Sequence, residues 1–162
     1  MENNIVNRQF IYKKLETEDE ILRAKNLIIE YLEWLNQDLS FQNIEDELNG
    51  FPEKYKEPEG SFIIAKENEN VIGCVGIRNI GNKICEMKRL FVNKNYKGLG
   101  IGKKLVGKII DDAVVKNYEI MRLDTLNTMD AALDIYIKNG FYVIEPYYNN
   151  PYNNVIYLEK KL

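Results

Sequence analysis

The segment Lys97-Gly98-Leu99-Gly100-Ile101-Gly102 carries the most specific chemical signal in the sequence. Its alternating glycines let the backbone turn tightly and approach a ligand closely. An apolar strand pattern precedes the segment and a helical pattern follows it, so the first N–H groups of that helix form an anion site that the helix dipole reinforces. Lys103 and Lys104 add positive charge beside it, which the dipole alone disfavours. The segment therefore predicts a site for phosphate groups.

Spacing excludes two common classes of phosphate ligand. The dinucleotide fingerprint G-x-G-x-x-G needs a glycine where Lys103 or Leu105 stands. A nucleotide P-loop needs glycine in place of Lys97 and serine or threonine in place of Lys104. The phosphates must therefore belong to another kind of ligand.

Proton transfer near neutral pH has to use a carboxylate, a tyrosine, a lysine or water, because the chain contains no histidine. The strand that leads into the glycine segment contains one carboxylate, Glu86. Period-two alternation along this strand places four side chains on one face: Glu86, Lys88, Leu90 and Val92.

Composition predicts a single domain over residues 1–162. The 162 residues are 45% apolar and 29% charged, and a chain of this length buries about 70% of its unfolded surface. No apolar run approaches the roughly 18 residues of a membrane helix, and the first residues lack a signal-peptide pattern, so we expect a cytoplasmic protein without a membrane partner. Cys74 and Cys85 lie in apolar segments without metal-ligand spacing, which predicts buried thiols and no metal.

The net charge of −3 conceals an asymmetry along the chain. Between residues 30 and 60 nine acidic residues occur: Glu30, Glu33, Asp38, Glu45, Asp46, Glu47, Glu53, Glu57 and Glu59. Between residues 83 and 108 eight basic residues occur: Lys83, Lys88, Arg89, Lys94, Lys97, Lys103, Lys104 and Lys108. The first region suits a cation and the second an anion, and the alternative is that both are solvated faces. Net acidity, and basic residues clustered at the phosphate segment, argue against a nucleic-acid partner.

Hydrophobic periodicity orders the elements that position these residues. Strands are predicted at 9–15, 61–65, 71–77, 84–92, 120–126, 141–145 and 155–158. Helices are predicted from 18 to about 35, at 43–50 with Asn43 as its cap, from the glycine segment to about 117, and at 128–139. Mixed strands and helices indicate one α+β or mixed-sheet α/β domain. Gly107, inside the third helix, predicts close packing, since glycine there is unfavourable by about 1 kcal/mol relative to alanine.

At these residues the sequence resembles the GNAT superfamily of acyl-CoA-dependent N-acyltransferases. The family's loop reads Q/R-x-x-G-x-G/A, and Lys97 to Gly102 matches it with lysine in the first place. Residues 132–141 resemble the family segment A-x-x-L-Y-x-x-x-G-F, and residues 86–92 resemble the strand before the loop. The tail at 146–151 looks like that of a bacterial branch. The likeness covers about residues 61–158.

The resemblance implies a fold and a co-substrate. It implies a single GNAT-like domain with a mixed, mostly antiparallel, twisted sheet of six to seven strands and about four helices. It also implies acetyl-CoA, whose pyrophosphate the backbone N–H groups of the loop would hold. The residues implied in binding are Leu90, Phe91, Val92, Lys97, Gly98, Leu99, Gly100, Ile101, Gly102, Lys103, Leu126, Asn127, Met129, Ala132 and Leu133.

Two catalytic roles are implied by the same comparison. Glu86 stands at the offset from the loop where histone-acetylating members carry a glutamate base, and its alternative is an ion pair with Lys88 or Arg89. Tyr136 matches the tyrosine that protonates the departing thiolate, and its alternative is a core aromatic. Leu90 and Val92 would hold the pantetheine arm through their backbone groups.

The acceptor predicted from the sequence is a small primary amine or an exposed amino group. In the family the first helices and the tail shape the acceptor pocket, and here they bring acidic residues together with Tyr31, Trp34, Phe41, Tyr147, Tyr148 and Tyr152. Carboxylates and aromatic faces suit a cationic amine. The alternative function is a catalytically inactive CoA-binding sensor, and a homodimer is left open.

Overall fold

The computed structural model describes residues 7–36, 38 and 43–162. Its strands are β1 (Ile11–Lys14), β2 (Ser61–Glu67), β3 (Asn70–Asn79), β4 (Ile84–Val92), β5 (Ile120–Leu126), β6 (Tyr142–Ile144) and β7 (Val155–Lys161). Its α-helices are α1 (Glu18–Leu35), α2 (Ile44–Gly50), α3 (Ile101–Val115) and α4 (Asp130–Lys138). The strands form one sheet in the order β1-β2-β3-β4-β5-β7-β6, in which only the β4–β5 pair is parallel. The predicted fold class is confirmed.

Hydrophobic clusters cover both faces of the sheet. The larger cluster packs α3 and Tyr136 of α4 against the sheet, and the smaller packs α1 against the other face. Helix α1 begins with a capping box, in which Thr17 and Glu20 satisfy each other's backbone N–H groups. Cys74 and Cys85 are buried as predicted, and burial raises the pKa of both thiols to about 12. In the described ranges no helix is both long and apolar enough to cross a bilayer.

A β-bulge at Arg89 divides β4 into two halves. Pairing with β3 runs from Cys74–Phe91 to Gly76–Lys88, so one residue of β3 lies opposite two of β4. Arg89 takes the left-handed backbone conformation at this point, with φ of 60°. The bulge therefore reverses the side-chain alternation of the strand.

The predicted common face for Glu86, Lys88, Leu90 and Val92 is wrong for this reason. Beyond the bulge, Leu90 and Val92 pack against the larger cluster, which also contains Cys85 and Met87. Before the bulge, Glu86 alternates with those two residues and lies on the opposite face. The carboxylate and the later strand residues thus serve different sides of the sheet.

Two local predictions are also wrong. Asn43 precedes α2 in the left-handed conformation, with φ of 55°, and its side chain makes no capping hydrogen bond. Gly107 is not held by close packing, because a Cβ built there meets no atom within 4 Å. The remaining boundaries agree within a few residues, and β4 and β5 agree at both ends.

The two glycines Gly76 and Gly107 are expected to respond oppositely to substitution by alanine. At Gly76 a Cβ would lie 2.7 Å from Tyr55 Cδ1 and 2.8 Å from Phe62 Cδ2, so overpacking should lower the free energy of unfolding by about 1–3 kcal/mol. At Gly107 the added methyl meets open space, so the higher helix propensity of alanine should raise the free energy of unfolding by roughly 0.5–1 kcal/mol. Urea denaturation of both variants measures the difference. Equal destabilisation would contradict the packing described for these two positions.

Candidate active site

A cleft opens where β4 and β5 part. Their parallel pairing covers only three pairs, from Ile84–Ile120 to Glu86–Arg122. Beyond these pairs the cleft, of about 90 Å³, lies between residues 87–90 of β4 and 123–126 of β5. The other residues that line it are Tyr31, Leu35, Met129, Ala132, Tyr136, Asn150, Tyr152 and Val155. We call it the strand cleft. The β5-facing edge of β4 has no partner strand here, so its backbone groups are available to an extended ligand.

The glycine loop at 97–102 follows β4 at the same end of the sheet. Gly98 and Gly100 have φ of 79° and 78°, and a Cβ at either position meets no atom within 4 Å. The first backbone bond of α3 runs from the Lys104 N–H to the Gly100 carbonyl, 3.1 Å long. The N–H groups of residues 98–103 donate to no acceptor in the described part of the chain. Unused donors beside open glycines at a helix start fit a phosphate ligand.

Trp34 of α1 lies against this loop. The Nζ of Lys97 is 5.2 Å from the centre of the indole ring, and Trp34 is 55% exposed. Tyr31 and Phe91 pack beside it, with ring centres 6.4 and 6.5 Å from that of Trp34. Phe91 thus turns its side chain towards α1, which leaves its backbone for the binding role implied by resemblance.

Apart from Phe91, the predicted cofactor residues fall into three groups. Leu90, Leu126, Met129 and Ala132 line the strand cleft. The loop residues Lys97, Gly98, Leu99, Gly100 and Lys103 are exposed, Gly102 is half-buried, and Ile101 is buried so that only its backbone can serve. The remaining three lie outside the cleft. Asn127 is exposed and donates its N–H to the Asn154 carbonyl, whereas Leu133 and Val92 pack against the larger hydrophobic cluster.

Tyr136 lies in the wall of the strand cleft. The residue is 6% exposed, and its ring packs edge-to-face on Phe141 with centres 5.7 Å apart. Its hydroxyl bonds to no described residue, so it remains available to a ligand in the cleft. Burial raises the pKa of Tyr136, and nearby Tyr31 and Asp124 raise it further. The phenol therefore stays protonated and can donate a hydrogen bond.

Glu86 is 2% exposed and surrounded by donors. The Arg78 Nε donates to Oε1 over 2.9 Å, the Tyr147 hydroxyl donates to Oε2 over 2.8 Å, and the Lys88 Nζ lies 3.6 Å from Oε1. Burial alone would raise the pKa of this carboxyl, but the charges of Lys88 and Arg78 and the Tyr147 hydrogen bond hold it below its ordinary value. Of the two ion-pair partners expected from the sequence, Lys88 is present, whereas Arg89 pairs with Glu47.

A second cavity, of about 430 Å³, adjoins the strand cleft. Its lining residues are Asn43, Glu47, Lys54, Arg78, Ile80, Glu86, Lys88, Arg122, Tyr147, Tyr148 and Asn149. We call it the basic cavity. Glu86 lines this cavity and Tyr136 lines the strand cleft, and Lys88 is shared by the two linings.

The expected acidic acceptor side is wrong. Of the nine acidic residues between 30 and 60, Glu47 alone lines the basic cavity and none lines the strand cleft. Glu47 is buried and paired with Arg89 through two bonds of 2.8 and 3.2 Å. Elsewhere Glu53 pairs with Lys56, and Glu57 pairs with Lys14 and Lys116. Three of the nine acidic residues are therefore held in ion pairs, and Glu47, which lines the basic cavity, is one of them.

The aromatic residues expected on that side are divided between the cavities. Tyr31 and Tyr152 line the strand cleft, whereas Tyr147 and Tyr148 line the basic cavity. Tyr148 donates its hydroxyl to Asp124 over 2.6 Å, which ties the tail to β5. Phe41 lies outside the described residues.

Sequence reasoning missed the two arginines beside Glu86. In the sheet register Arg78 of β3 and Arg122 of β5 are the cross-strand neighbours of Glu86. The three residues are isolated in sequence, and only the strand register reveals that they form one row. A charged residue inside each of three apolar strand patterns was the available signal.

Comparison with known proteins agrees with this geometry. The acetyltransferase (GNAT) family profile matches residues 23–141. An uncharacterized N-acetyltransferase of Dictyostelium discoideum is 35% identical, over 94% of this chain and 99% of that protein. Another, of Schizosaccharomyces pombe, is 41% identical over 85% of this chain and 86% of that protein.

A solved structure extends the likeness to the fold. The PaiA N-acetyltransferase of Thermoplasma acidophilum, crystallised in complex with coenzyme A, superposes with a TM-score of 0.74 at 21% identity, over 95% of this chain and 99% of that one. Profile, relatives and fold agree over most of the chain. The chain belongs to the acetyltransferase (GNAT) family.

Proposed function

We propose that the protein transfers the acetyl group of acetyl-CoA to a primary amine by direct attack within a ternary complex. One observation carries the proposal: the unused N–H groups of the glycine loop and the strand cleft lie at the same end of β4, with Tyr136 in the cleft wall. Family membership supports acyl transfer in general. The acetyl group and the primary amine are the parts that the proposal adds.

The glycine loop and the strand cleft together supply groups that would hold the co-substrate. The N–H groups of the loop would bind its pyrophosphate, and the free edge of β4 at Leu90 would hold the pantetheine arm like an added strand. Acetyl-CoA supplies an acetyl thioester, whose carbonyl a backbone N–H at this edge would polarise. Met129 and Ala132 form the opposite side of the cleft.

Two protons have to move when the amine nitrogen bonds to the acetyl carbon and the carbon–sulfur bond breaks. Glu86, directly or through a water, would accept the proton that the nitrogen loses. Tyr136 would donate its hydroxyl proton to the sulfur, and solvent would return it. The two groups lie in the linings of adjoining cavities, so an amine between them at Lys88 would be within reach of both.

The charge of the basic cavity supplies part of the activation. A free amine with the pKa of lysine is neutral in only about one molecule in a few thousand at pH 7. The positive charges of Lys88 and Arg78 disfavour an ammonium ion beside them. The cavity would therefore favour the neutral, nucleophilic form of the bound amine.

Coenzyme A binding is expected to change the fluorescence of Trp34, the single tryptophan of the chain, since its ring lies against Lys97 of the loop. Gly98→Ala should weaken this binding about tenfold, because an alanine at φ of 79° stores strain of order 1–3 kcal/mol that the bound loop must retain. Gly81→Ala is the matched control: its φ is 94°, its Cβ also meets open space, and it lies in the β3–β4 turn. Equal weakening in both variants would contradict the loop as the site.

Release of the CoA thiol in the presence of a panel of amines tests transfer itself. An enzyme releases thiol only when an acceptor is present. With the alternative, an inactive CoA-binding sensor, CoA changes the fluorescence of Trp34 but no thiol is released. Absence of transfer to every amine, amino acid and peptide in the panel would overturn the proposed function.

A further inference from the structure

The basic cavity carries more positive than negative charge. Four of its lining side chains are cations, Lys54, Arg78, Lys88 and Arg122, and two are carboxylates, Glu47 and Glu86. Both carboxylates already have partners inside the protein. Glu47 accepts from Arg89 and from the Tyr55 hydroxyl, and Glu86 accepts from Arg78 and Tyr147. The cavity therefore presents a net positive surface to whatever enters it.

The cations of the cavity keep unused donors. Arg78 spends only its Nε on Glu86, and Arg122 spends only its Nε on Glu159, so the terminal nitrogens of both guanidinium groups bond to no described residue. Lys54 is exposed and makes no ion pair with the described chain. Lys88 lies 3.6 Å from Glu86, beyond hydrogen-bond distance. These N–H groups can bind an anion without breaking an existing pair.

The tail holds one of these cations in place. The Arg122 guanidinium lies over the ring of Tyr147, 5.4 Å from its centre, and Tyr147 is fixed by its hydrogen bond to Glu86. A planar guanidinium held on one face presents its terminal nitrogens in a fixed direction, which suits two-point binding of a carboxylate. A cationic acceptor such as a polyamine would instead meet like charges.

We propose that the basic cavity binds a carboxylate of the acceptor, so that the acceptor is an amino acid or another small amine bearing a carboxylate. The inference rests on the proposed acetyl transfer and names its substrate class. The carboxylate would lie among Lys54, Arg78 and Arg122, with the amine at Lys88, the residue shared with the strand cleft. A volume of about 430 Å³ accommodates a molecule of this size.

Matched acceptor pairs test the substrate class. Free amino acids, including glycine, alanine, aspartate and glutamate, are compared with the corresponding α-carboxamides and with putrescine and spermidine, using thiol release. The free acids are expected to show kcat/KM at least about tenfold higher, as one charge-assisted pair supplies about 1.4 kcal/mol. Equal or better use of the amides or polyamines would overturn the inference while leaving acetyl transfer intact.

Substitutions of Lys54 and Arg122, here called the rim variants, test whether the basic cavity causes the preference for free acids. Lys54→Gln and Arg122→Gln should raise KM for the free acid about tenfold, change kcat little, and leave KM for the amide unchanged. Lys56→Gln is the control, because Lys56 is exposed, pairs with Glu53 and does not line the cavity. A KM that does not move in the two rim variants would place the carboxylate elsewhere and overturn the assignment.

A binding measurement separates failure of this inference from failure of the proposed function. In the presence of CoA, free amino acids should raise the midpoint of thermal unfolding of the wild-type protein, and the rise should shrink in both rim variants but not in Lys56→Gln. This pattern without any thiol release would refute transfer and retain the carboxylate site. No rise with any acid, together with transfer to plain amines, would refute the site and retain transfer.

Discussion

Glu86→Gln is expected to lower kcat/KM by about 10²-fold, the lower end of what a positioned general base contributes. The amide keeps the size of the side chain: its oxygen can still accept from Arg78, and its NH2 group can donate to the Tyr147 hydroxyl in place of the bond that the carboxylate accepted. It cannot take a proton from the acceptor amine. CoA affinity, read from Trp34, should not change, because Glu86 does not line the strand cleft.

The loss should be uniform across about pH 6 to 9. Burial would raise the pKa of the Glu86 carboxyl, but the charges of Lys88 and Arg78 and the Tyr147 hydrogen bond hold it below its ordinary value. Glu86 is therefore ionised throughout this range, and its own titration contributes no step there. The rise of kcat/KM with pH belongs to the acceptor amine as it becomes neutral, and the variant should keep that rise at the same pH.

Glu119→Gln is the control for removal of a carboxylate, because Glu119 is exposed and pairs with Lys83 away from both cavities. An unchanged rate in Glu86→Gln would assign Glu86 to the ion pair with Arg78 alone. If kcat/KM of the variant instead rises at a different pH, a group that titrates in the neutral range has a pKa that depends on Glu86.

Elements with strong local patterns were predictable from the sequence. Strands β4 and β5 agree with prediction at both ends, because each is mostly apolar and is bounded by turn residues. The glycine loop was likewise readable, since glycine spacing and the following helical stripe are local features. Membership in the family followed from the same residues.

Long-range pairing was not predictable, and it decides the charge of the site. Alternation gives the face of a strand, but register sets which residues lie side by side. Nothing local places Arg78 and Arg122 on either side of Glu86, or joins Glu47 to Arg89 across 42 residues. The bulge at Arg89 then reversed the faces beyond it.

These pairings change how the charge pattern of the chain is understood. The acidic run between residues 30 and 60 suggested a cationic acceptor, yet Glu47, its one member in the lining of the basic cavity, is neutralised by Arg89. The strand arginines, which stand outside that run, give the basic cavity its sign. The sign of a site follows from which charges remain unpaired after folding, and composition along the chain does not record that.

Tyr136→Phe is expected to lower kcat about 10²-fold, as for loss of a general acid. The change removes one hydroxyl, which bonds to no described residue, and keeps the ring that packs on Phe141. Burial raises the pKa of Tyr136, so the phenol is protonated at every working pH and the loss should not depend on pH. The hydroxyl stabilises the thiolate as it leaves but does not stabilise the thioester of the ground state. We therefore expect kcat to fall while the Kd for CoA stays constant.

Stability and a matched tyrosine separate this role from that of a core aromatic. The free energy of unfolding of Tyr136→Phe should stay within about 0.5 kcal/mol of wild type, because no described hydrogen bond is lost. Tyr142→Phe is the control, since Tyr142 lies in β6, bonds to Glu159 and lines neither cavity. If Tyr136→Phe keeps the kcat of wild type, the role of Tyr136 is packing alone, and water protonates the sulfur. A fall confined to this variant at constant stability and CoA affinity requires the hydroxyl in the chemical step, which an inactive CoA sensor does not have.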